Sequence, residues 1–458
     1  MISGRAFRKL SRILGPERIS THRDALDHYG TDATKLAYPP DAVAFPGRIQ
    51  EIADILLLAN QERFPVVPRG AGSGKSGGAL PVQGGLILAM DRFDRILEID
   101  ESNLIAKVES GVITARLQEE VEKVGLFYPP DPASINISTL GGNVAECAGG
   151  LRAVKYGVTR DYVLGLTVVL PTGKIITTGV ETVKGVVGYD LTRLITGSEG
   201  TLAVIVNITL RLIPKPASTR TMIAFFKDPS STVQAVSEII RSKVVPTALE
   251  FMDRVCIECV RDEIGIPVPE SAGALLLIEL DGDRSLTRRE AGTVQEICIQ
   301  RGAVDFQAAS GKKKRERLWE TRRNVSPALY KLKPDKVSED VVVPRNRMAD
   351  LVSFIATLSG TYGLPMPAYG HAGDGNIHVN IMLDKRNPEE LRKVDGAVKD
   401  LFQKVMEMKG TLSGEHGIGI TKAPYLGMEI SQEAQDLMVR VKKAFDPNGI
   451  LNPGKIFP

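Results

Sequence analysis

The sequence predicts an α+β protein of at least two domains, and three observations carry that reading. The chain has 458 residues, more than one hydrophobic core usually organises. Its first half alternates short apolar strands, glycine-rich loops and isolated helices. After the proline pair Pro214 and Pro216 the texture changes to longer helix patterns between single strands such as ALLLIEL and NIHVNIML, which is the look of an α+β domain.

In the first half, Ile49, Ile52, Ala53, Leu56 and Ala59 recur at helical spacing in IQEIADILLLANQERF, so a helix is expected there. PVVPR, GLILAM and LIAKVESGV read as strands, and TARLQEEVEKVG as a second helix. Further strands are expected in LGLTVVLPTGKIITTG and TLAVIVNITLRLIP. The segment MDRVCIECVRDEIG reads as an amphipathic helix, which makes Cys256 and Cys259 packing residues. With Cys147 and Cys298 they are too few for a disulfide framework. They also supply no ligand set for an iron–sulfur cluster, so any cluster would sit on a partner. The basic run Lys312 to Arg315 lies on a helix pattern; a solvated face is the plain reading and a docking patch for an acidic partner the sharper one.

Composition narrows the function classes. Hydrophobic residues make up 43% and charged residues 25%, the profile of a soluble globular chain. A net charge of +3 gives no reason to invoke nucleic acid or an anionic membrane. No apolar run approaches the roughly 20 residues that span a bilayer. The opening MISGRAFRKLSRILG is basic and amphipathic but lacks the apolar stretch and cleavage site of a secretory signal, so a cytoplasmic location is expected.

The loop RGAGSGKSGGAL, Arg69 to Leu80, carries the first chemical signal. Glycines let successive backbone N–H groups converge on an anion such as a pyrophosphate. Gly74-Lys75-Ser76 imitates the end of a P-loop, but Arg69 stands where that pattern needs glycine. Gly72, Gly74 and Gly77 satisfy GxGxxG, yet Gly78-Ala79-Leu80-Pro81 cannot open the helix that a Rossmann fingerprint requires. A second stretch, PPDPASINISTLGGNVAECAGG, offers Ser134, Ser138, Thr139, Gly141, Gly142 and Asn143, and TGSEGTL is a third. Three such loops suggest a long ligand gripped along its length.

In order, PVVPRGAGSGKSGGAL, PPDPASINISTLGGNVAECAGG, YGVTRDYVLGLTVVLPTG and VGYDLTRLITGSEGTL resemble the FAD-binding domain of the vanillyl-alcohol oxidase (PCMH-type) superfamily. GHAGDGNIHVN, SGEHGIG and FDPNGILNPGKIF fit its branch of glycolate oxidase flavin subunits, D-lactate dehydrogenases and D-2-hydroxyglutarate dehydrogenase. The resemblance covers nearly the whole chain. It implies a two-part FAD-binding domain (1–217), an α+β substrate or cap domain with an antiparallel sheet (218–410), and a C-terminal segment (411–458) packing back on the first. By the same resemblance Pro68, Arg69, Gly70, Ala71, Gly72, Ser73, Gly74, Gly77 and Gly78 would cradle the FAD pyrophosphate. Pro130, Ser134, Thr139, Gly141, Gly142 and Asn143 would line the dinucleotide and flavin. Glu199 and Gly200 would meet the adenosine end or ribityl chain, and Asn452 would return to the flavin. Lys75 and Ala203 depart from the usual pattern. Ser73 stands where covalent members carry histidine, so FAD is expected to be non-covalent.

From the residues alone, alternation in NIHVNIM puts Asn376, His378 and Asn380 on one face. His371 precedes the turn AGDG, so a reversal would bring it towards His378. Glu415 and His416 lie between Gly414 and Gly417, on a loop suited to close approach. Two imidazoles and a carboxylate make a typical catalytic metal set, with Asp374 a rival ligand. The resemblance implies that His371, His378 and Glu415 bind zinc, iron or manganese and that His416 is the base. Arg322, one helical turn before Ser326, would clamp the substrate carboxylate, with Asn380 as helper and Lys336 as a candidate second cation. The implied reaction is oxidation of a small D-2-hydroxy acid, D-lactate or glycolate, with electrons leaving to a non-oxygen acceptor. The implied partner is an iron–sulfur or electron-transferring flavoprotein that would place the chain at the inner membrane; a homodimer is compatible with the sequence. Rival readings are a dehydrogenase for D-2-hydroxyglutarate or longer acids, and an FAD-binding electron-transfer subunit without its own substrate site.

Overall fold

The computed structural model describes residues 2–457. The chain divides into two compact units. One comprises the chain up to Gly149, Val158–Lys215 and the chain from Glu415 onward; the other comprises Gly150–Gly157 and Pro216–Gly414. The sequence reading kept Gly150–Gly157 with the first domain and drew its other lines at 217/218 and 410/411. The short stretch groups with the second unit because Lys155 Nζ reaches the Asp281 carboxylate at 2.5 Å and the Tyr156 hydroxyl donates to the same carboxylate at 2.9 Å.

In the first unit, the expected helix forms over Ile49–Glu62 and buries Ile52, Ala53, Leu56 and Ala59. It stops at Arg63, which takes a left-handed conformation. The helix Gly4–Leu14 is capped by Ser3, whose hydroxyl accepts from the Ala6 N–H, and it buries Ala6, Leu10 and Leu14 in the same core. That core covers a sheet ordered Ile19–Ser20, Ala42–Ala44, Leu86–Ala89, Val66–Arg69, whose last three strands are parallel. A second, antiparallel sheet is ordered Ile96–Asp100, Ile105–Glu109, Val204–Arg211, Val163–Val169, Ile175–Gly179. The last residues run beside Val66–Arg69: the Val66 N–H donates to Ile450 O and the Asn452 N–H to Val66 O, both at 2.8 Å.

The second unit is built on one antiparallel sheet. Its order is Ala303–Ala308, Ser218–Phe226, Ala274–Gly282, Ala248–Asp253, Ala368–His371, Asn376–Leu383, Asp335–Val342. MDRVCIECVRDEIG is not one helix. Met252 and Asp253 end a strand, and the α-helix covers only Arg254–Val260. Asp253 forces the break: its carboxylate accepts from the Cys256 N–H at 2.8 Å and from the Ala368 N–H at 2.7 Å, capping the helix and tying it to a neighbouring strand. All four cysteines are buried and unpaired.

Phe225 is fully buried in the apolar core between this sheet and the helices Arg254–Val260 and Lys312–Ala328. Phe225→Ala should cost about 3–5 kcal/mol, read as a lower urea midpoint by circular dichroism. A loss below about 1 kcal/mol would contradict a tightly packed core at this position.

Candidate functional site

The loop after Val66–Arg69 opens a cavity of about 440 Å³ in the first unit, within the roughly 300–1,000 Å³ of small-molecule and cofactor sites. The three glycine-rich stretches meet on its wall. Every cofactor residue expected from the sequence lines it except Gly77, Pro130 and Asn452. Missing side chains make the room. The Thr139 hydroxyl occupies the place of a Cβ on Gly70, Ser110 that of one on Gly141, and Gly74 faces open space. Arg69 is buried, lies 5.5 Å over the Tyr29 ring, and its Nη1 has no hydrogen-bond partner among the described residues. Burial holds its pKa below the ordinary arginine value, with the charge of Asp32 opposing. A guanidinium with a donor to spare beside bare glycine backbone fits the diphosphate of a dinucleotide.

The residues outside the lining act from behind it. Asn452 Nδ2 donates to Gly78 O at 2.9 Å and to Glu199 O at 2.7 Å, and Pro130 O accepts from Gln118 Nε2 at 2.9 Å. Gly77 packs against Ile420, with no space for a Cβ. Glu199 adopts a left-handed φ of 52°, and its carboxylate accepts from the Ile418 and Gly419 N–H groups at 2.7 Å each. That bond fixes the loop bearing Glu415 and His416, both of which line the cavity; His416 Nε2 is 3.9 Å from Glu415 Oε1.

Sequence reasoning missed Glu146, which lines the same cavity. Its carboxyl and that of Glu199 fill the space that a side chain on Gly417 would take. Burial pushes both carboxyls above the usual range, and the neighbouring Glu199 charge adds to the effect on Glu146. The signal available was a lone acid inside a glycine-rich stretch. Behind the wall, Lys455 Nζ donates to Leu80 O at 2.6 Å. Burial brings this lysine down to about 8, against the pull of Glu199, Asp32 and Glu146.

In the second unit, register assembles the other expected residues. Glu250 pairs with His371, His371 with Asn376, Tyr369 with His378, and His378 with Asp340. Paired residues share a face, so four adjacent strands present one polar row. The His371 and His378 rings meet edge to face, 5.2 Å between centroids. One is backed by a buried carboxylate, Glu250 Oε1 lying 2.7 Å from His371 Nδ1; Asp340 Oδ1, 3.6 Å from His378 Nδ1, accepts instead from Asn376 Nδ2 at 2.5 Å. A carboxylate on one ring nitrogen orients imidazole and leaves the other nitrogen as the ligand atom, which is the arrangement a metal ligand needs at His371. Asp374 caps its own turn, accepting from the Asn376 N–H at 3.2 Å.

Arg322 lies on the helix Lys312–Ala328, with its guanidinium 4.7 Å over the Tyr369 ring. Its Nε and Nη2 reach Glu250 Oε2 at 2.7 and 2.6 Å, so one edge of the fork is taken and the Nη1–Nη2 edge is left for a second carboxylate. Lys336 donates to Ser326 Oγ at 2.6 Å. Asn380 is fully buried, donates to His378 O at 3.2 Å and accepts from the Ser338 hydroxyl at 3.1 Å. Glu250 and Asp340 were not foreseen; for Glu250 an acid flanked by apolar residues in ALEFMD was the signal, while Asp340 lies in the polar strand DKVSEDVV and gave none.

A glycine-walled cavity with a buried guanidinium donor and a histidine on its wall defines a dinucleotide-binding enzyme. Residues 40–179 match the model described as FAD binding domain and residues 215–456 that described as FAD linked oxidases, C-terminal domain; the chain belongs to the FAD-linked oxidase family. It is an FAD-dependent oxidoreductase. It is 44% identical to glycolate oxidase subunit GlcD of Bacillus subtilis over 100% of this chain and 97% of that protein. It is 36% identical to a D-lactate dehydrogenase of Anaerostipes hadrus, over 91% and 89%. A D-2-hydroxyglutarate dehydrogenase of Stutzerimonas stutzeri is 32% identical, over 98% of each. The fold is that of p-cresol methylhydroxylase, with a TM-score of 0.82 at 18% identity over 99% of this chain and 97% of that one. This is the PCMH-type α+β class the sequence motifs implied.

Lys455 gives a pH signature. Its folded pKa is about 8 against roughly 10.4 unfolded. Between these values the unfolded chain binds the extra proton, so this group's destabilising effect is full below pH 8 and relieved as pH rises. In Lys455→Met that pH-dependent effect should vanish. The parent melting temperature relative to the variant's should rise from pH 7.5 to pH 10 in thermal shift assays; a constant difference would contradict the assignment.

Proposed function

We propose that the chain oxidises a small D-2-hydroxy acid, D-lactate or glycolate, to the 2-oxo acid, with FAD bound non-covalently and electrons passed to an acceptor other than oxygen. The observation that carries this reading is His416, which lines the same cavity as the glycine loops beside Glu415. When bound, the flavin supplies the hydride acceptor. His416 takes the 2-hydroxyl proton, a task suited to a side chain whose ordinary pKa is about 6.5. Arg322 offers its remaining edge to the substrate carboxylate. Asn380, with both ends of its amide engaged, supports His378 and reaches the substrate only through its neighbours. The names of the relatives support the substrate class, and the designation of some as a subunit supports a protein partner for electron exit. No helix among the described residues is long and apolar enough to cross a membrane.

The reading extends to a divalent metal, zinc, iron or manganese, with His371, His378 and Glu415 as ligands. Its support is the edge-to-face histidine pair of the second unit, with Glu250 hydrogen-bonded to His371. The metal would supply Lewis-acid polarisation of the 2-hydroxyl. About one metal per chain is expected by elemental analysis, falling sharply in His371→Ala or His378→Ala while FAD stays bound. Full turnover by chelated, metal-free protein would rule the metal out.

Anaerobic stopped-flow with paired D- and L-2-hydroxy acids tests the activity. D-lactate and glycolate should bleach the flavin and L-lactate should not. Reduction only by D-2-hydroxyglutarate would move the assignment to longer acids. In His416→Ala the FAD spectrum should persist while reduction slows by roughly 100-fold or more. A near-parental rate would remove His416 as the base.

A further inference from the structure

Glu250 is fully buried in the middle strand of the second unit's sheet, where an unpaired charge would be strongly destabilising. Both its oxygens are engaged. Oε1 lies 2.7 Å from His371 Nδ1, and Oε2 receives Arg322 Nε and Nη2 at 2.7 and 2.6 Å. The two partners come from different elements, His371 from the adjoining strand and Arg322 from the helix Lys312–Ala328. Tyr369 closes the cluster, with its ring 4.7 Å under the guanidinium and 5.3 Å from the His378 ring. One strand position, His371, and one helix position, Arg322, therefore converge on a single carboxylate.

We propose that Glu250 is a positioning residue that fixes, at once, the imidazole of His371 and the guanidinium edge that Arg322 presents to substrate. It touches neither substrate nor metal. On the histidine it holds the proton at Nδ1, so Nε2 is the nitrogen available as a ligand. On the arginine it occupies the Nε–Nη2 edge, so the Nη1–Nη2 edge is held outward and cannot swing away. One side chain thereby sets the geometry of metal binding and of carboxylate binding. This inference rests on the reading of His371 as a ligand and Arg322 as the clamp.

The test uses two variants of the full-length holoenzyme, checked for FAD content and melting temperature. Glu250→Gln keeps the shape and can still accept from His371, but it turns an amide NH2 or a neutral oxygen to Arg322. It should raise KM for D-lactate roughly 10-fold or more, with a smaller change in kcat and in affinity for added Zn2+ or Mn2+. Glu250→Ala removes both contacts. It should raise KM similarly and also weaken metal affinity by roughly 10–100-fold, the cost usual for losing a ligand's outer partner. Variants that only melt earlier, with parental KM and metal affinity, would overturn the proposal. Should Glu250→Ala not retain FAD, Glu250→Gln decides: parental KM in that variant overturns it. A parent enzyme that binds no metal would overturn the metal half of the proposal together with the metal reading of the site; KM in Glu250→Gln then decides the carboxylate half.

Discussion

The cavity of the first unit depends on buried side chains tying backbone from distant parts of the chain. Asn452 holds the carbonyls of Gly78 and Glu199, Lys455 that of Leu80, and Lys442 those of Thr201 and Leu451. The Glu199 carboxylate in turn holds the N–H groups of Ile418 and Gly419. Glycine-rich loops lose much conformational freedom when ordered, and their own residues make few side-chain contacts to offset it. The compensation comes from these braces, which also satisfy carbonyls that would otherwise be buried without partners. Loops that must present bare backbone to a ligand are thereby kept in one shape by side chains from distant parts of the chain.

The same brace has an electrostatic side. Glu199, Glu146, Asp32, Arg69 and Lys455 gather around one poorly hydrated region, and the carboxyls sit above their usual range while the lysine sits below. Burial dominates each of these shifts, and the opposite charges only temper it. The second unit handles the problem differently. Its polar row lies on a sheet whose neighbouring positions are apolar, and each imidazole is matched to one carboxylate by strand register. Charge in the first unit is spread over a network; in the second it is gathered on Glu250, which takes both His371 and Arg322.

What the sequence made legible follows from where each demand is written. A loop that needs bare backbone must contain glycine, so Gly70, Gly72, Gly74, Gly141 and Gly142 announced their cavity. Strand alternation placed His378 and Asn380 on one face, and a turn after His371 implied the reversal that brings the two rings together. Partners chosen by tertiary pairing left no such mark. Lys155 finds Asp281 across 126 positions, so the grouping of Gly150–Gly157 with the second unit was invisible. Asp253 looked like a helix residue because the strand that precedes its cap is tied to Ala368, far along the chain. Glu250 sat in an apolar strand and Asp340 in a polar edge strand, and in neither could the sequence show what the register would set opposite.

That pairing changes how Arg322 can work. Read from sequence, it was a bidentate clamp with a full positive charge to offer. In the structure its charge is already matched by Glu250, and burial of such a pair contributes little net stability compared with apolar packing. What the pair provides is direction. A guanidinium neutralised at one edge exerts little long-range pull on anions, yet it still presents a planar pair of donors at the other. With Arg322 as the proposed clamp, selection for a 2-hydroxy acid would rest on short-range fit to the carboxylate more than on charge.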